Sequence, residues 1–207
     1  MEQMARVRPY RGVEAADRVA ERRRRFLEAG LDILGSAPDL SELTVRGICR
    51  QAGVTVRYFY ESFTDKDDFV GQIFDWVIAD IAATTQAAVT AAPLKEQSRA
   101  GIANIVRTVA ADTRVGRLLF SSQVSNPVVI RKRAESFALM AMLTFQHVGT
   151  LGARNNARTR AASHFVVGGV SQTITAWLSG DITLDADQLV DRLAAILDNL
   201  AALPSRD

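Results

Sequence analysis

The stretch LTVRGICRQAGVTVRYFYESFTDKDDF, residues 43–69, reads as two short helices about a glycine. Thr44 is a good N-cap for a helix through Gln51 that stops at Ala52-Gly53, and Thr55 is a good N-cap for a second through about Glu61. Gly53 supplies the positive φ needed between helices that cross steeply. Cys49, four positions earlier, is small where the second helix must approach, and Ile48, Ala52, Val54 and Phe59 seal the angle. The pattern is that of a helix-turn-helix, with the outward face of the second helix left for contacts.

The flanking sequence extends this unit in both directions. Upstream, a helix is expected from about Val13 to Leu34, with Val19, Phe26, Leu27, Gly30, Ile33 and Leu34 on one stripe and Arg22 to Arg25 straddling the polar side; Gly35, Ser36 and Pro38 end it. Downstream, Thr64 or Asp65 caps a long helix whose first-turn carboxylates oppose the macrodipole and which continues to Ala92, where Pro93 stops it. Such a helix spans roughly 40 Å and can act as a lever between two parts of the chain. Further helices are expected over Leu94 to Ala111, Asp112 to Ser122, Pro127 to Thr150, Ala157 to Leu178 and Asp185 to Leu203. No segment alternates apolar and polar residues between turns, so the fold class is all-α. The expected organisation is a flexible basic arm over residues 1–12, a three-helix helix-turn-helix domain over 13–66 and a helical domain over 67–207.

Composition narrows the function. With 207 residues, 48% hydrophobic and 23% charged, the chain can bury a core. A single cysteine, Cys49, cannot form an intramolecular disulfide, and with only His147 and His164 beside it no metal site is expected. Cys49 itself reads as a buried packing residue and the two histidines as satisfied helix residues. No phosphate-cradling GxxxxGK, GxGxxG, HExxH or GxSxG occurs, so neither catalysis nor a cofactor is expected. The N-terminus is charged where a signal peptide needs an apolar run, and nowhere do eighteen consecutive apolar residues occur, which points to a cytoplasmic chain without a membrane partner.

The net charge of +2 says little until it is located. Residues 1–66 carry twelve Lys/Arg against ten Asp/Glu, whereas residues 67–207 carry thirteen of each, so the whole excess lies with the helix-turn-helix. Arg22 to Arg25 fit either a solvated helix face or a phosphate-contacting stripe, and Arg6, Arg8 and Arg11 fit either a minor-groove arm or a disordered tail.

Near its N-terminus the second short helix presents Val56, Arg57, Tyr58 and Tyr60, where a recognition helix touches base edges in the major groove. Arginine can take guanine O6 and N7 bidentately, valine can pack on a thymine methyl, and tyrosine can reach phosphate. Residues from about Val19 to Phe69 resemble the DNA-binding domain of the TetR family of bacterial transcriptional regulators. The residues that carry the resemblance are Thr44, Ala52-Gly53-Val54-Thr55, Phe59-Tyr60, Phe63 and Thr64-Asp65-Lys66. It implies that Thr44, Tyr60 and Lys66 hold phosphates, that Arg46 reads a base, that Val56 and Arg57, following Thr55, meet base edges, and that Tyr58 and Ser62 add backbone contacts. Two positions depart from the family's pattern. Ser62 stands where many members have histidine, and Arg57 replaces what is often a small residue, which favours a guanine preference.

For the rest of the chain the resemblance implies a helical domain that holds a small-molecule effector and forms a homodimer through its last two helices. Val166, Gly168, Gly169, Val170, Ile174, Leu193, Ile196 and Leu197 are the candidate interface, small residues permitting close approach and the others supplying apolar surface. Phe120, Gln123, Asn126, Met140, Phe145, His147 and Trp177 are candidate pocket residues, apolar walls with a few polar groups. The expected function is a ligand-responsive regulator, a repressor released from a palindromic double-stranded DNA operator by the effector. The alternatives are an all-α small-molecule binding protein without specific DNA recognition and a sequence-nonspecific architectural DNA binder.

Overall fold

The computed structural model describes residues 11–36, 43–121, 126–150 and 156–201, and among these every regular element is helical. The helices are α1 (Arg11–Ser36), α2 (Val45–Ala52), α3 (Val56–Ser62), α4 (Lys66–Ala91), α5 (Gln97–Ala111), α6 (Thr113–Phe120), α7 (Pro127–Thr150), α8 (Ala157–Leu178) and α9 (Ala186–Ala201), with a 3-10 turn, Leu94–Glu96, leading into α5. The chain is all-α, as its periodicity predicts.

Most helix starts are written in local chemistry. The Asp65 carboxylate accepts from Asp68 N at 2.8 Å to open α4, Asp112 accepts from Arg114 N at 2.9 Å to open α6, and Asn156 accepts from Thr159 N at 3.0 Å to open α8. Each satisfies a donor that the first turn of a helix leaves without an intrahelical partner. The long helix starting at Lys66 ends at Ala91, before Pro93. By contrast α1 runs two residues further than expected at each end, because Gly35 stays helical where it meets α6.

Most of the buried hydrophobic residues form one connected cluster. At its N-terminal end the rings of Phe26, Phe59, Phe63 and Phe69 meet largely edge to face with centroids 5.0–5.8 Å apart, the geometry that the ring quadrupoles favour. Phe69, Val70, Ile73 and Phe74 belong to this cluster, so the first turns of α4 are part of the N-terminal packing unit. α1 crosses α4 closely at Gly30, where a β-carbon would lie 2.7 Å from Phe69 Cζ and collide with Ile73.

α6 docks against the C-terminal end of α1. Arg114 bridges Asp32 on α1 and Asp112 at the start of α6, the latter at 2.5 Å, and Arg117 donates to the Gly35 carbonyl at 3.0 Å. A β-carbon on Gly35 would sit 2.6 Å from Arg114 Cα, so only glycine permits this contact. From the other side Arg133 of α7 donates to the Leu118 and Arg117 carbonyls at the end of α6 at 2.6–3.1 Å, the latter also accepting from Ser121 N at 3.1 Å. Lys132 joins α7 to Asp75 of α4 at 2.7 Å, and Arg99 and Arg107 of α5 pair with Asp191 and Asp187 of α9.

Two outcomes test this packing. Gly30→Ala over-packs the α1–α4 crossing and is expected to cost about 1–3 kcal/mol, read as a lower urea midpoint with unchanged slope. The Arg114 guanidinium beside Asp112 holds its carboxyl below the usual carboxylate range. A folded pKa below the unfolded value of about 3.9 means the pair's stabilisation is present above that pH and is lost as the pH falls through the folded value. Asp112→Asn keeps the cap acceptor but removes the charge. It is expected to lower the urea midpoint at pH 7 and to flatten its decline below about pH 4.

Candidate nucleic-acid interface

The turn between α2 and α3 is held from three directions. Thr44 is extended, and its hydroxyl oxygen accepts from Gly47 N at 3.1 Å, opening α2. Gly53 adopts the left-handed conformation with φ +62°. Its N–H reaches the Arg50 carbonyl at 3.3 Å while Val54 N reaches the Cys49 carbonyl at 3.0 Å, the paired bonds of a Schellman ending. The carbonyls of Ala52 and Gly53 that remain are taken by Arg25 of α1 at 2.8 and 3.0 Å. A β-carbon at residue 53 would meet that guanidinium at 2.7 Å, so glycine is required both for its φ and for room.

Arg25 therefore belongs to the architecture of the turn, a role the arginine run conceals in sequence. Its neighbours are also engaged within the chain. Arg24 pairs with Glu21 at 2.9 Å, Arg23 donates to Gln72 of α4, and Arg22 lies 4.3 Å above the Tyr58 ring, a cation–π contact. The run is thus a set of individual anchors, which favours neither a bare solvated face nor an unbroken phosphate stripe.

The second short helix turns Phe59 into the core and leaves Thr55, Val56, Arg57 and Tyr60 exposed. Arg57 projects furthest, with its side chain 85% accessible, and its Nε donates to Glu61 at 2.9 Å. Thr55 makes no side-chain capping bond, so its hydroxyl remains open. Arg46 on α2 is exposed as well. Thr44 uses its oxygen as an acceptor and keeps its proton to donate. Lys66 gives one hydrogen bond to the Leu43 carbonyl at 3.1 Å and retains two further donors.

Two candidates are less available. Ser62 Oγ donates to the Tyr58 carbonyl at 2.9 Å, committing its only proton inside the helix. Tyr58 is half-buried beneath Arg22. Cys49 is buried and burial pushes its thiol up, in keeping with a packing residue.

Of the candidate pocket residues, Phe120 lies on α6, Met140 on α7 and Trp177 on α8, with Asn126 just before α7. Asn126 Oδ1 caps α7, accepting from Val128 N at 2.9 Å, and Trp177 Nε1 donates to the Leu184 carbonyl at 2.7 Å, tying α8 to the approach to α9. Phe120 and Met140 are half-buried. Gln123 and the side chains of Phe145 and His147 lie outside the described residues. Two open cavities occur elsewhere, one of about 470 Å³ at the start of α8 beside Arg160 and His164 and one of about 530 Å³ between α4 and α5 beside Asn104 and Arg107. Neither contains a candidate pocket residue.

The candidate interface residues divide into two sets. Ile174 and Leu193 are 1% and 4% exposed and pack inside the subunit's own core, so they are corrected to core residues. Val170 and Leu197 pack against that core from its margin, and Val166 is half-buried. Gly168 and Gly169 face open space, with nothing within 4 Å of an added β-carbon, and Ile196 is 41% exposed. Sequence reasoning missed Phe165, one turn before Gly168 and 67% exposed, because every face of α8 carries apolar residues.

No protein-family model matches the chain, and no curated protein is similar enough in sequence to match it. Among solved structures it is similar to the fatty acid degradation regulator FadR from Bacillus halodurans, with a TM-score of 0.70 and 19% identity over 87% of this chain and 99% of that one. FadR from Bacillus subtilis, solved in complex with stearoyl-CoA, aligns with a TM-score of 0.67 and 18% identity over 84% of this chain and 96% of that one. A TetR-like transcriptional regulator from Rhodococcus sp. RHA1 aligns with a TM-score of 0.63 and 15% identity over 88% of this chain and 97% of that one. The chain has the fold of the TetR-family transcriptional regulators.

Proposed function

We propose that the protein is a TetR-family transcriptional repressor that binds a palindromic operator as a homodimer and is released by a small-molecule effector. The observation that carries this reading is the α2–α3 turn, locked by Gly53 and Arg25 so that Val56, Arg57 and Tyr60 stand exposed on α3 between the donors of Thr44 and Lys66. A rigid helix end with an outward arginine, flanked by phosphate-binding groups, separates base reading from positioning as major-groove recognition requires.

The dimer face in this reading is the exposed surface of α8 and α9 around Phe165, Gly168, Gly169 and Ile196. An unpartnered phenylalanine next to glycines without side chains offers a flat apolar surface that a second copy can cover. In this reading the two α3 helices of the dimer enter successive major grooves about 34–36 Å apart.

Release follows from the α1–α6 docking. Arg114 and Arg117 bind α6 rigidly to α1, the helix whose Arg25 holds the turn. An effector that binds one arrangement of α6 more tightly than the other biases α1, and with it the recognition helix, by its difference in affinity. A thermal-shift screen identifies the effector, because binding raises the apparent stability.

Selection of bound sequences from a random duplex pool is expected to return a palindrome; loss of any enrichment would instead favour an effector-binding protein without DNA recognition. Arg57→Ala is expected to cost about 1–3 kcal/mol on the selected site and to relax one base position, whereas Lys66→Ala weakens all sequences alike and lowers the salt slope by about 1. Phe165→Glu or Ile196→Glu is expected to convert a dimer to a monomer in sedimentation and to weaken operator binding. An unchanged dimer would place the interface elsewhere.

A further inference from the structure

We infer that Glu61 is a specificity-determining residue, a positioning group that presents the Arg57 guanidinium to a guanine; the inference rests on the DNA-binding reading above. The contact is Arg57 Nε to Glu61 Oε1 at 2.9 Å, on a helix where Arg57 is 85% and Glu61 45% accessible.

Helix stability does not account for this pair. Arg57 lies in the first turn of α3 and Glu61 in the last, so each charge sits at the end of the helix dipole that disfavours it. The order is also the weaker one, since an acidic residue placed four before a basic one stabilises a helix better than the reverse. An exposed ion pair contributes little in any case. A carboxylate on a surface that approaches phosphates further opposes binding unless it does something there.

Its geometry supplies that role. With about 100° per residue, Arg57 and Glu61 both lie on the side of α3 opposite the buried Phe59 and within about 40° of each other. Glu61 takes the Nε edge of the guanidinium. The two terminal nitrogens are left free and coplanar, and they are the pair that can meet guanine O6 and N7 together. The contact biases an arginine with several rotatable bonds toward this arrangement before DNA arrives, which lowers the ordering cost of recognition. Glu61 touches no base in this arrangement. It acts through Arg57.

The test is a random-duplex selection and a binding titration at fixed salt on the full-length protein, carried out for the unmodified chain, Glu61→Ala, Glu61→Gln, Arg57→Ala and the double variant. Glu61→Ala is expected to reduce the preference for guanine at one position of each half-site by a few-fold, up to about fivefold, the limit that an exposed ion pair sets. Non-specific affinity should not fall, because the residue removed is negative. Glu61→Gln retains an oxygen acceptor for Nε and is expected to restore most of the preference. In the Arg57→Ala background Glu61→Ala is expected to leave the base preference unchanged, the signature of a residue acting through its neighbour.

A Glu61→Ala protein that keeps the full guanine preference overturns the inference. So does loss of preference at a cytosine that persists without Arg57, which would make Glu61 a direct base reader. If the unmodified chain enriches no sequence, the DNA-binding reading fails and the inference with it, an outcome separable from the others because it appears before any substitution is made.

Discussion

The burial of Phe59 is the constraint from which the exposed face of α3 follows. Its ring is fully enclosed, with Phe26, Phe63 and Phe69 at 5.2–5.8 Å, and enclosing such a side chain is worth about 1.5–3 kcal/mol before the aromatic contacts are counted. A seven-residue helix has almost no stability of its own. Its rotation about its axis is therefore decided by which side chain the core accepts. With Phe59 inward, Arg57 and Glu61 have no choice but to face out, and Val56 and Tyr60 flank them. Gly53 and Arg25 then fix the direction in which that rotated helix points.

The same core ties the recognition unit to the rest of the chain. Phe69 and Ile73 of α4 close against Gly30 of α1, while α1 is gripped at its far end by α6 through Arg114, Arg117 and the close approach at Gly35. α6 is itself held from behind by Arg133, whose guanidinium binds only main-chain carbonyls among the described residues. Burial lowers the pKa of that group from its ordinary value, yet an arginine stays charged, so its charge rests against the negative end of the α6 dipole. Arg133, Arg114 and Arg117 thus join α7, α6 and α1 in one continuous chain of contacts. A packed junction of this kind shifts between arrangements more readily than it deforms.

What could be read from sequence is what is encoded within a few residues. Thr44 and Asp65 announce helix starts because the cap and the amide it binds are three positions apart, and Gly53 announces its turn because the left-handed φ excludes most alternatives. The aromatic positions of the recognition unit were legible for the same reason, their spacing being set by one short helix and the start of the next. Arg25 was not, since its partners lie 27 and 28 residues away and its neighbours Arg22 to Arg24 look identical in composition. Ile174 and Leu193 were assigned to an interface because α8 and α9 carry apolar residues in excess of one stripe; only the packing of α8 on α6 and α7 and of α9 on α5 decides which residues turn inward. Helices that are apolar on several sides do not declare their buried face.

The short helix α3 also shows where local rules are broken and why that is tolerated. Thr55 heads α3 without making a capping bond, Arg57 and Glu61 oppose the dipole, and Ser62 bonds back into the helix, each a departure from what would stabilise an isolated helix. Such departures cost tenths of a kcal/mol to about 1 kcal/mol apiece. The enclosure of Phe59 outweighs them. Because stability is supplied by one inward residue, the outward residues are free to be chosen for what they present to a partner, and local inconsistency concentrated on a single exposed face is what a binding surface leaves in a sequence. The Arg57–Glu61 pair is the clearest instance, since its order and its position are both wrong for the helix and both suited to an outward guanidinium.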